Sequence, residues 1–362
     1  MKLQVAQNNL ARALNTVARI ASNRGTLPVL ANVLLKTENN RLNISATNLD
    51  IAITHFVGSK ITSDGAITVP AKLMQDFISS LPEGIINLEL EENHLKITTD
   101  QYQSVINGIP AEDFPVMPAI SQTATWKVPA VDFKKALARV VFAASSDDAR
   151  PVLTGVNFHS DDTGVMIAAT DSYRLAEAKL ASPKQPIDFL LPATAAADLL
   201  RIISDEEEVV VSHDDQQVSF HAGDVNLVAR LIEGTYPDYR KLVPAKFATV
   251  AKMTRADLTN IVKVSSLFAR ESAGSIILKA SKEGSQVSIN AVASQLGENT
   301  AAAEAQVSND GEVTLNSRYL IEALNAFSSD QIEFCFNGKL EPCVLRSKSE
   351  PDYTHLIMPL RS

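Results

Sequence analysis

The order of apolar and polar positions repeats three times along this chain of 362 residues. A short apolar run ends in Pro70, and residues 71–81 then carry apolar side chains three and four positions apart. The same arrangement returns at 193–204 and 317–328, after spacings of 122 and 124 residues. Apolar residues at this spacing predict three amphipathic helices.

A second set of helices recurs with the same period. Asn8, Asp132 and Thr254 each stand at the start of a one-sided apolar pattern, and such polar residues typically cap the first turn of a helix. The sequence therefore predicts capped helices over residues 8–22, 131–145 and 255–270.

Alternating strand-like runs fill the intervals between the predicted helices, and turn signals such as Asn337-Gly338 separate them. Periods of 20–50 residues indicate solenoids, whereas the longer period here indicates three similar domains. We predict an α+β fold in which each domain has antiparallel sheet with two helices on one face. The predicted domains cover residues 1–121, 122–247 and 248–362.

Composition narrows the class of protein. The hydrophobic fraction of 45% and charged fraction of 21% are ordinary for globular proteins, and no apolar run reaches the length of a membrane span. The first residues turn polar before a signal-peptide core can form, which favours a cytoplasmic location. Cys335 and Cys343 are too few for a disulfide framework and are expected as small buried side chains in one hairpin.

The distribution of charge changes the interpretation of the acidic net charge of −9, which by itself argues against a nucleic-acid partner. The windows 8–22, 131–145 and 255–270 each sum to +2, so the rest of the chain is strongly acidic. In the other three helices each basic residue has an acidic neighbour, in the pairs Lys72 with Asp76, Asp198 with Arg201, and Arg318 with Glu322. Three equivalent basic helices favour sequence-independent contact with phosphates.

Candidate catalytic chemistry is sparse. The sequence has no phosphate-binding glycine loop, zinc-protease motif or nucleophile-elbow motif, and we predict no metal, cofactor or enzymatic activity. The paired aspartates at 147–148, 161–162 and 214–215 fit solvated turns. Two alternatives are a hydrolase using Asp171 and Arg174, and a sequence-specific DNA-binding protein, which would need a dedicated recognition helix.

Four segments resemble the bacterial DNA polymerase III β subunit family, the sliding clamps. They are Arg24-Gly25-Thr26-Leu27-Pro28, Thr170-Asp171-Ser172-Tyr173-Arg174-Leu175-Ala176, Tyr236-Pro237-Asp238-Tyr239-Arg240 and Ile357-Met358-Pro359-Leu360-Arg361. The resemblance covers the whole chain in order. It implies a head-to-tail homodimeric ring, lined by twelve helices, that encircles duplex DNA without sequence specificity. It also implies short-peptide contacts with polymerase subunits, the clamp loader and repair proteins.

The family's functional residues map onto three groups of positions. The resemblance places Arg24 and Arg150 in DNA-contacting loops, and Arg12, Lys135, Arg139 and Lys263 should face the same hole. Ile106 and Leu267 are expected beside strands at 103–106 and 297–306 that pair between subunits. The partner pocket between domains two and three maps onto Leu153, Thr170, Ser172, Tyr173, Arg174, Leu175, Pro237, Lys241, Leu242, Asn316, Tyr319, Leu340, Pro342, Leu356, Met358, Pro359, Leu360 and Arg361.

Within that pocket, Arg174 and Tyr173 are expected to form a polar rim, while the Leu, Pro and Met side chains form apolar walls. Tyr173 stands where the family often has His, and Lys241 where it often has Arg. These differences concern the preference for partner peptides.

Ring size gives an independent check on the dimer. Packed helices lie about 8–10 Å apart, so six around a ring give an axis-to-axis diameter of roughly 18 Å, too small for a duplex about 20 Å wide. Twelve give roughly 35 Å, which leaves a hole of about 25 Å after subtracting helix radii of about 5 Å. Two chains therefore suit the expected hole.

Overall fold

The computed structural model describes residues 1–21, 27–115, 120, 124–180, 186–203, 208–293 and 297–361. The first repeat contains β1 (Lys2–Ala6), α1 (Gln7–Val17), β2 (Asn32–Glu38), β3 (Arg41–Thr47), β4 (Ile51–Gly58), β5 (Lys60–Ser63), β6 (Ala66–Pro70), α2 (Ala71–Ser80), β7 (Ile85–Glu91), β8 (His94–Thr98) and β9 (Gln103–Asn107). The second contains β10 (Ala124–Pro129), α3 (Ala130–Val140), β11 (Gly155–Asp161), β12 (Gly164–Thr170), β13 (Arg174–Leu180), β14 (Asp188–Pro192), α4 (Ala193–Ile202), β15 (Glu208–His213), β16 (Gln217–Ala222) and β17 (Val225–Arg230). The third contains β18 (Thr249–Thr254), α5 (Arg255–Ser266), β19 (Ser275–Ser281), β20 (Gln286–Ala293), β21 (Gly297–Glu304), β22 (Gln306–Val307), β23 (Gly311–Asn316), α6 (Ser317–Ala326), β24 (Gln331–Phe336), β25 (Cys343–Ser347) and β26 (Glu350–Ile357).

All six predicted helices are present, in the predicted order, but α1, α3 and α5 end several residues earlier than the apolar pattern suggested. Of the three predicted caps, only Thr254 is confirmed: its hydroxyl accepts the backbone N–H of Asp257 at 3.1 Å. Asn8 and Asp132 lie inside the first turns, because α1 begins at Gln7 and α3 at Ala130. The residue before α1 is Ala6, whose side chain has no hydrogen-bond acceptor, whereas the residue before α5 is Thr254, whose hydroxyl can cap the helix.

The chain forms two compact units, Met1–Val131 with Asp198–Leu231, and Asp132–Ala197 with Ile232–Ser362. The first unit holds a five-stranded sheet, β5-β1-β7-β8-β9, and an eight-stranded sheet, β10-β15-β16-β17-β4-β3-β2-β6. The second holds a nine-stranded sheet, β14-β11-β12-β13-β26-β25-β24-β18-β22, and a four-stranded sheet, β21-β20-β19-β23. Every pairing described is antiparallel.

Both large sheets cross from one repeat into the next. In the first unit β4 pairs with β17, with Ile51 opposite Ala229. In the second unit β13 pairs with β26, with Arg174 opposite Ile357. In both cases, the third strand after a repeat's first helix pairs with the last strand of the following repeat. The sheet junction is thus itself a repeated feature.

The turn that precedes each junction strand is also repeated. The Thr47 hydroxyl donates to the carbonyl oxygen of Ile51 at 3.0 Å, and the Thr170 hydroxyl donates to that of Arg174 at 2.5 Å. The third residue of each turn, Leu49 or Ser172, has a positive φ near 80° (80° and 78°). The same hydrogen bonds and backbone conformation show that these two turns are equivalent in the repeat.

Cys335 and Cys343 lie on the neighbouring strands β24 and β25 and are fully buried, as predicted. Burial raises the pKa of the Cys335 thiol to about 11, so this side chain stays protonated and unreactive. Within the described ranges, the structure contains no helix with the length and apolar character that a membrane span requires. The domain limits at 121/122 and 247/248 stay predictions, and residue 121 lies outside the described residues.

Candidate functional site

The C-terminal tail is held by the backbone of the turn before β13 and by the backbone of β23, both in the second unit. The Met358 N–H donates to the carbonyl oxygen of Tyr173, and the Leu360 N–H donates to that of Thr314, both at 2.8 Å. Met358, Pro359 and Leu360 are half-buried. Terminal residues are usually poorly ordered unless such contacts hold them. These two hydrogen bonds therefore give the tail a defined position on the second unit.

Arg174 organises the centre of the candidate pocket. Its side chain donates to Asp171 at 3.1 Å, to the Phe142 carbonyl oxygen at 2.7 Å and to the Glu322 carboxylate. Its guanidinium carbon also lies 4.6 Å from the centre of the Tyr319 ring. With five donors and these partners, the guanidinium is fixed in one position.

The expectation that Arg174 forms the pocket rim is wrong. The residue is only 5% exposed, because the partners on Asp171, Phe142, Glu322 and Tyr319 surround its guanidinium. A buried guanidinium that is already paired stabilises the protein around it and is not available to contact a ligand. Tyr173, on the turn beside it, is exposed, as a rim residue should be.

Asp171 has a structural role in this turn. Its carboxylate accepts the N–H groups of Tyr173 at 2.9 Å and of Arg174 at 3.0 Å, in addition to the ion pair with the Arg174 side chain. A carboxylate used in this way stabilises the turn, and all three nitrogens of the Arg174 side chain donate to protein acceptors. This geometry gives no support to the hydrolase alternative.

The apolar residues of the candidate pocket divide into a floor and an outer edge. Leu175 and Leu356 belong to a buried cluster, and Leu153 is also buried, so these three are core residues of the second unit. Leu242 and Leu340 are exposed, the latter by 74%. Large exposed apolar side chains are candidates for binding another molecule.

The other predicted pocket residues have identifiable positions. Asn316 caps α6 by accepting the N–H groups of Arg318 and Tyr319. Lys241 is paired with Asp238 at 2.8 Å. Exposed residues are Ser172, Pro237, Lys241 and Arg361; intermediate ones are Thr170, Asn316, Tyr319 and Pro342.

Sequence reasoning missed two acceptors of Arg174, Glu322 and the Phe142 carbonyl oxygen. Glu322 was assigned only to its helical neighbour Arg318, which it also contacts at 3.5 Å. The other two predicted pairs, Lys72–Asp76 and Asp198–Arg201, are confirmed at 3.4 and 3.1 Å. Nothing in the local pattern of α6 distinguishes a carboxylate with a second, distant partner.

The predicted DNA-binding residues fall into three groups. Arg12, Lys135, Arg150 and Lys263 are exposed. Arg24 lies outside the described residues. Arg139 contradicts its expected role, because it is only 7% exposed, forms an ion pair with Glu350 and packs over the Tyr353 ring at 5.2 Å. Its charge is neutralised inside the protein and is withheld from phosphates.

The dimer residues also differ from each other. Leu267 is exposed, whereas Ile106 is only 6% exposed and contributes to the core of its own repeat. The neighbouring Val105, on the opposite face of β9, is 57% exposed. The expectation of an intersubunit contact for the Ile106 side chain is therefore wrong. Among the residues that the structure describes, its strand β9 pairs with β8 and has no strand on its other side.

The paired aspartates confirm the turn interpretation. The carboxylates of Asp147, Asp161 and Asp214 each accept a backbone N–H two residues further along the chain, at 3.0, 2.7 and 2.9 Å. Among the described residues, no group of three or more His, Cys, Asp or Glu side chains is arranged to hold a metal ion.

Comparison with known proteins covers the chain from end to end. Models of the N-terminal, central and C-terminal domains of the DNA polymerase III beta subunit match residues 1–118, 127–238 and 240–361. The beta sliding clamp of Synechococcus elongatus is 32% identical over 375 residues, covering 100% of this chain and 99% of the relative.

Two solved structures share the same fold over the whole chain. The DNA polymerase sliding clamp of Bacillus subtilis is 25% identical with a TM-score of 0.95, covering 100% of this chain and 99% of that one. The sliding clamp of Bartonella birtlesii, solved bound to griselimycin, is 26% identical with a TM-score of 0.94, covering 100% of both chains.

The threefold α+β repeat, its sheet junctions and this full-length similarity define a three-domain DNA sliding clamp. The chain belongs to the DNA polymerase III beta subunit family. The predicted fold class and the predicted clamp function in DNA replication are confirmed.

Two substitutions on α3 should separate structural charge from surface charge. Arg139→Ala removes the cation of a buried ion pair and leaves the Glu350 carboxylate without it. This change should lower the free energy of unfolding by about 3 kcal/mol. Lys135→Ala removes an exposed charge and should leave the melting temperature nearly unchanged, while reducing the salt dependence of DNA binding by about one counterion. Calorimetry and salt titrations of DNA binding measure both effects. An unchanged melting temperature for Arg139→Ala would contradict the buried pair.

Proposed function

We propose that two copies of this chain join head to tail in a ring around duplex DNA. The ring acts in the cytoplasm as a non-catalytic tether for replicative and repair polymerases. The observation that carries the proposal is the repeated sheet junction: β4 pairs with β17, and β13 pairs with β26. Continuation of this rule pairs β21 of one copy with β9 of the next.

The two strands that this rule leaves over are both edge strands. Within the described residues, β9 pairs with β8 alone and β21 with β20 alone. Their outer backbone groups lack sheet partners, and an edge of this kind is a template for another strand. A head-to-tail contact between copies closes into a ring if the rotation completes a turn.

Strand equivalence gives the register of the proposed pairing. Both β4 and β21 have eight residues, and each pairs its last residue with the first residue of the preceding strand, so Gly297 corresponds to Ile51. Ile106 and Ala229 each pair with the second residue of β8 or β16, so these two also correspond. Because Ile51 pairs with Ala229, Gly297 should pair with Ile106 of the second copy.

The hydrogen bonds inside each copy agree with this register. The Gly108 N–H donates to the carbonyl oxygen of Asn93. The backbone N–H and C=O groups of the even-numbered residues of β9 therefore point toward β8, and those of Val105 point away from it. The Ala305 N–H donates to Ser285, which leaves the even-numbered residues of β21, including Glu298, facing outward. The derived register places Glu298 opposite Val105, so two outward-facing residues meet.

Contact with DNA is assigned to exposed cations on the first helix of each repeat. Arg12 on α1, Lys135 on α3 and Lys263 on α5 are exposed, and Arg150 adds a loop cation. Such contacts neutralise phosphates without reading base sequence. The net charge of −9 over the whole chain opposes tight adhesion to DNA, which suits a protein that is retained by enclosure and slides.

Partner proteins are assigned to the surface formed by Tyr173, Leu242, Leu340 and the C-terminal tail. The exposed leucines and the half-buried Met358 offer apolar contact, and Met adapts to ligands of different shapes. Arg174, which follows Tyr173 in the chain and is held by Asp171, Glu322 and the Phe142 carbonyl oxygen, helps to keep the surface preformed, which lowers the entropy lost on binding. A short peptide containing Gln and apolar residues fits this combination.

A disulfide should trap the proposed pairing between copies. In the derived register Val105 and Glu298 form a hydrogen-bonded pair, whose Cα atoms lie about 5.5 Å apart, within the range that a disulfide spans. A chain carrying Val105→Cys and Glu298→Cys should form a covalent dimer on mild oxidation, and reducing agent should reverse it. Non-reducing electrophoresis measures the product; the native cysteines do not interfere, because both are buried.

The matched control moves one cysteine along the same strand. Val105→Cys with Thr300→Cys forms a diagonal pair, with Cα atoms roughly 7–8 Å apart, beyond the usual limit. This chain should cross-link much less. Equal cross-linking by both chains, or a covalent dimer from neither, would refute the derived register.

Truncation should test the role of the tail in partner binding. Deletion of residues 358–362 removes Met358 and the backbone bonds to Tyr173 and Thr314, but it leaves β26 intact. Binding of a Gln-plus-apolar peptide should be lost, with the melting temperature and dimer mass nearly unchanged. Fluorescence anisotropy, calorimetry and light scattering measure these quantities. Unaltered peptide affinity would move the docking site elsewhere.

A further inference from the structure

The linker that follows β17 carries part of the proposed pocket. A short 3-10 helix, Tyr239–Leu242, presents Lys241 and Leu242, and Pro237 precedes it. Pro237, Lys241 and Leu242 are all exposed. Exposed loop residues provide a defined binding surface only if the loop itself is held in place.

Tyr239 is the buried anchor of this linker. Its ring belongs to the cluster that includes Leu175 and Leu356, and its hydroxyl donates to the Glu177 carboxylate on β13. Burial and the neighbouring Glu177 charge raise the pKa of Tyr239 well above its ordinary value. The hydroxyl therefore remains a hydrogen-bond donor throughout the physiological pH range.

Arg240 attaches the linker to the end of β11. Its guanidinium donates to Asp161 at 2.7 Å and to Nε2 of His159 at 2.8 Å. The His159 ring also meets the Tyr239 ring edge-on, with centroids 6.1 Å apart. Hydrogen bonds from Thr163, together with Arg240, hold the pKa of Asp161 far below its ordinary value, so this acceptor stays ionised.

We propose that these contacts form a latch, made of Tyr239 with Glu177 and of Arg240 with Asp161 and His159, that positions the outer wall of the partner pocket. The latch holds Lys241 and Leu242 in the conformation that a bound peptide requires. Peptide affinity then depends on the fraction of molecules in which the latch is closed. This inference rests on the proposed function of the pocket, and it makes the five latch residues positioning residues.

Proton uptake by His159 should open the latch. Burial lowers the pKa of His159, and the nearby Arg240 lowers it further, whereas Glu177, Asp161 and Asp188 oppose this shift. The Nε2 atom that accepts from Arg240 must be unprotonated, so protonation removes the acceptor and places two cations together. Because the closed latch favours neutral imidazole, its stability falls as the pH drops below the ordinary histidine pKa of about 6.5.

The experiment measures binding of a fluorescent Gln-plus-apolar peptide that lacks titratable side chains. Binding is measured at pH 7.5 and at pH 5.5, about 2 units apart, because these values lie on either side of the ordinary histidine pKa. Loss of one latch hydrogen bond should weaken binding about three- to tenfold in Tyr239→Phe and in Glu177→Ala. Glu177→Gln restores an acceptor for the Tyr239 hydroxyl and should recover most of the lost affinity. Calorimetry on each variant reports whether the fold is retained.

Surface and histidine variants keep the test independent of folding. Arg240 is half-exposed, so Arg240→Ala should weaken peptide binding without unfolding the domain. Lys246→Ala, an exposed position on the same linker, is the matched control. Wild-type affinity should fall at pH 5.5. His159→Gln should lose most of this pH dependence, and the exposed His221→Gln should keep it.

The possible results separate the latch from the pocket. If the wild type binds the peptide, and Tyr239→Phe and Arg240→Ala bind it with the same affinity as the wild type, the latch is refuted. The proposed function would not be affected by that result. Retained pH dependence in His159→Gln would likewise refute the role of this histidine. Absence of peptide binding by the wild type at both pH values would refute the pocket, and the latch with it.

Discussion

The backbone hydrogen-bonding capacity of sheet edges is the constraint on which the rest of this structure depends. Unpaired N–H and C=O groups on an edge strand are a liability, and this chain satisfies them by joining successive repeats into continuous sheets. The β4–β17 and β13–β26 pairs use equivalent strands in equivalent register. A chain with three such repeats has two internal junctions and one unmatched edge of each kind. The proposed head-to-tail dimer pairs both of these edges with those of a second copy, and its closure into a ring is what we expect to enclose DNA.

Charge reinforces the second internal junction. Arg174 on β13 and Arg139 on α3 are both buried and paired with carboxylates that come from the third repeat, Glu322 and Glu350. Buried pairs stabilise a fold less than an apolar core would, but loss of one partner is costly, so they hold the arrangement in one geometry. The tail and the linker around Tyr239 lie against this fixed region. A preformed docking surface is what a tether shared by many partners requires.

Sequence patterns predicted what repeats locally. The six helices, the ion pairs within the second helices, the buried cysteines and the Thr254 cap all depend on neighbours a few positions away, and all are confirmed. Arg139 was misassigned because helical periodicity separates the apolar stripe from other faces but cannot show that a strand of the next repeat covers one of them. Arg174 was misassigned because its acceptors lie on elements distant in sequence. The latch contacts of Tyr239 also depend on tertiary structure that no local pattern encodes.

Retention on circular DNA tests the central claim most directly, because it depends on ring topology rather than affinity. Protein loaded onto closed circular duplex should stay bound through gel filtration at a salt concentration that abolishes ordinary phosphate contacts. A single cut in the DNA should then release it by sliding off the ends, and bound proteins at both ends should prevent that release. Release before the cut, or equal retention on circular and open linear DNA, would contradict the account of a closed sliding ring.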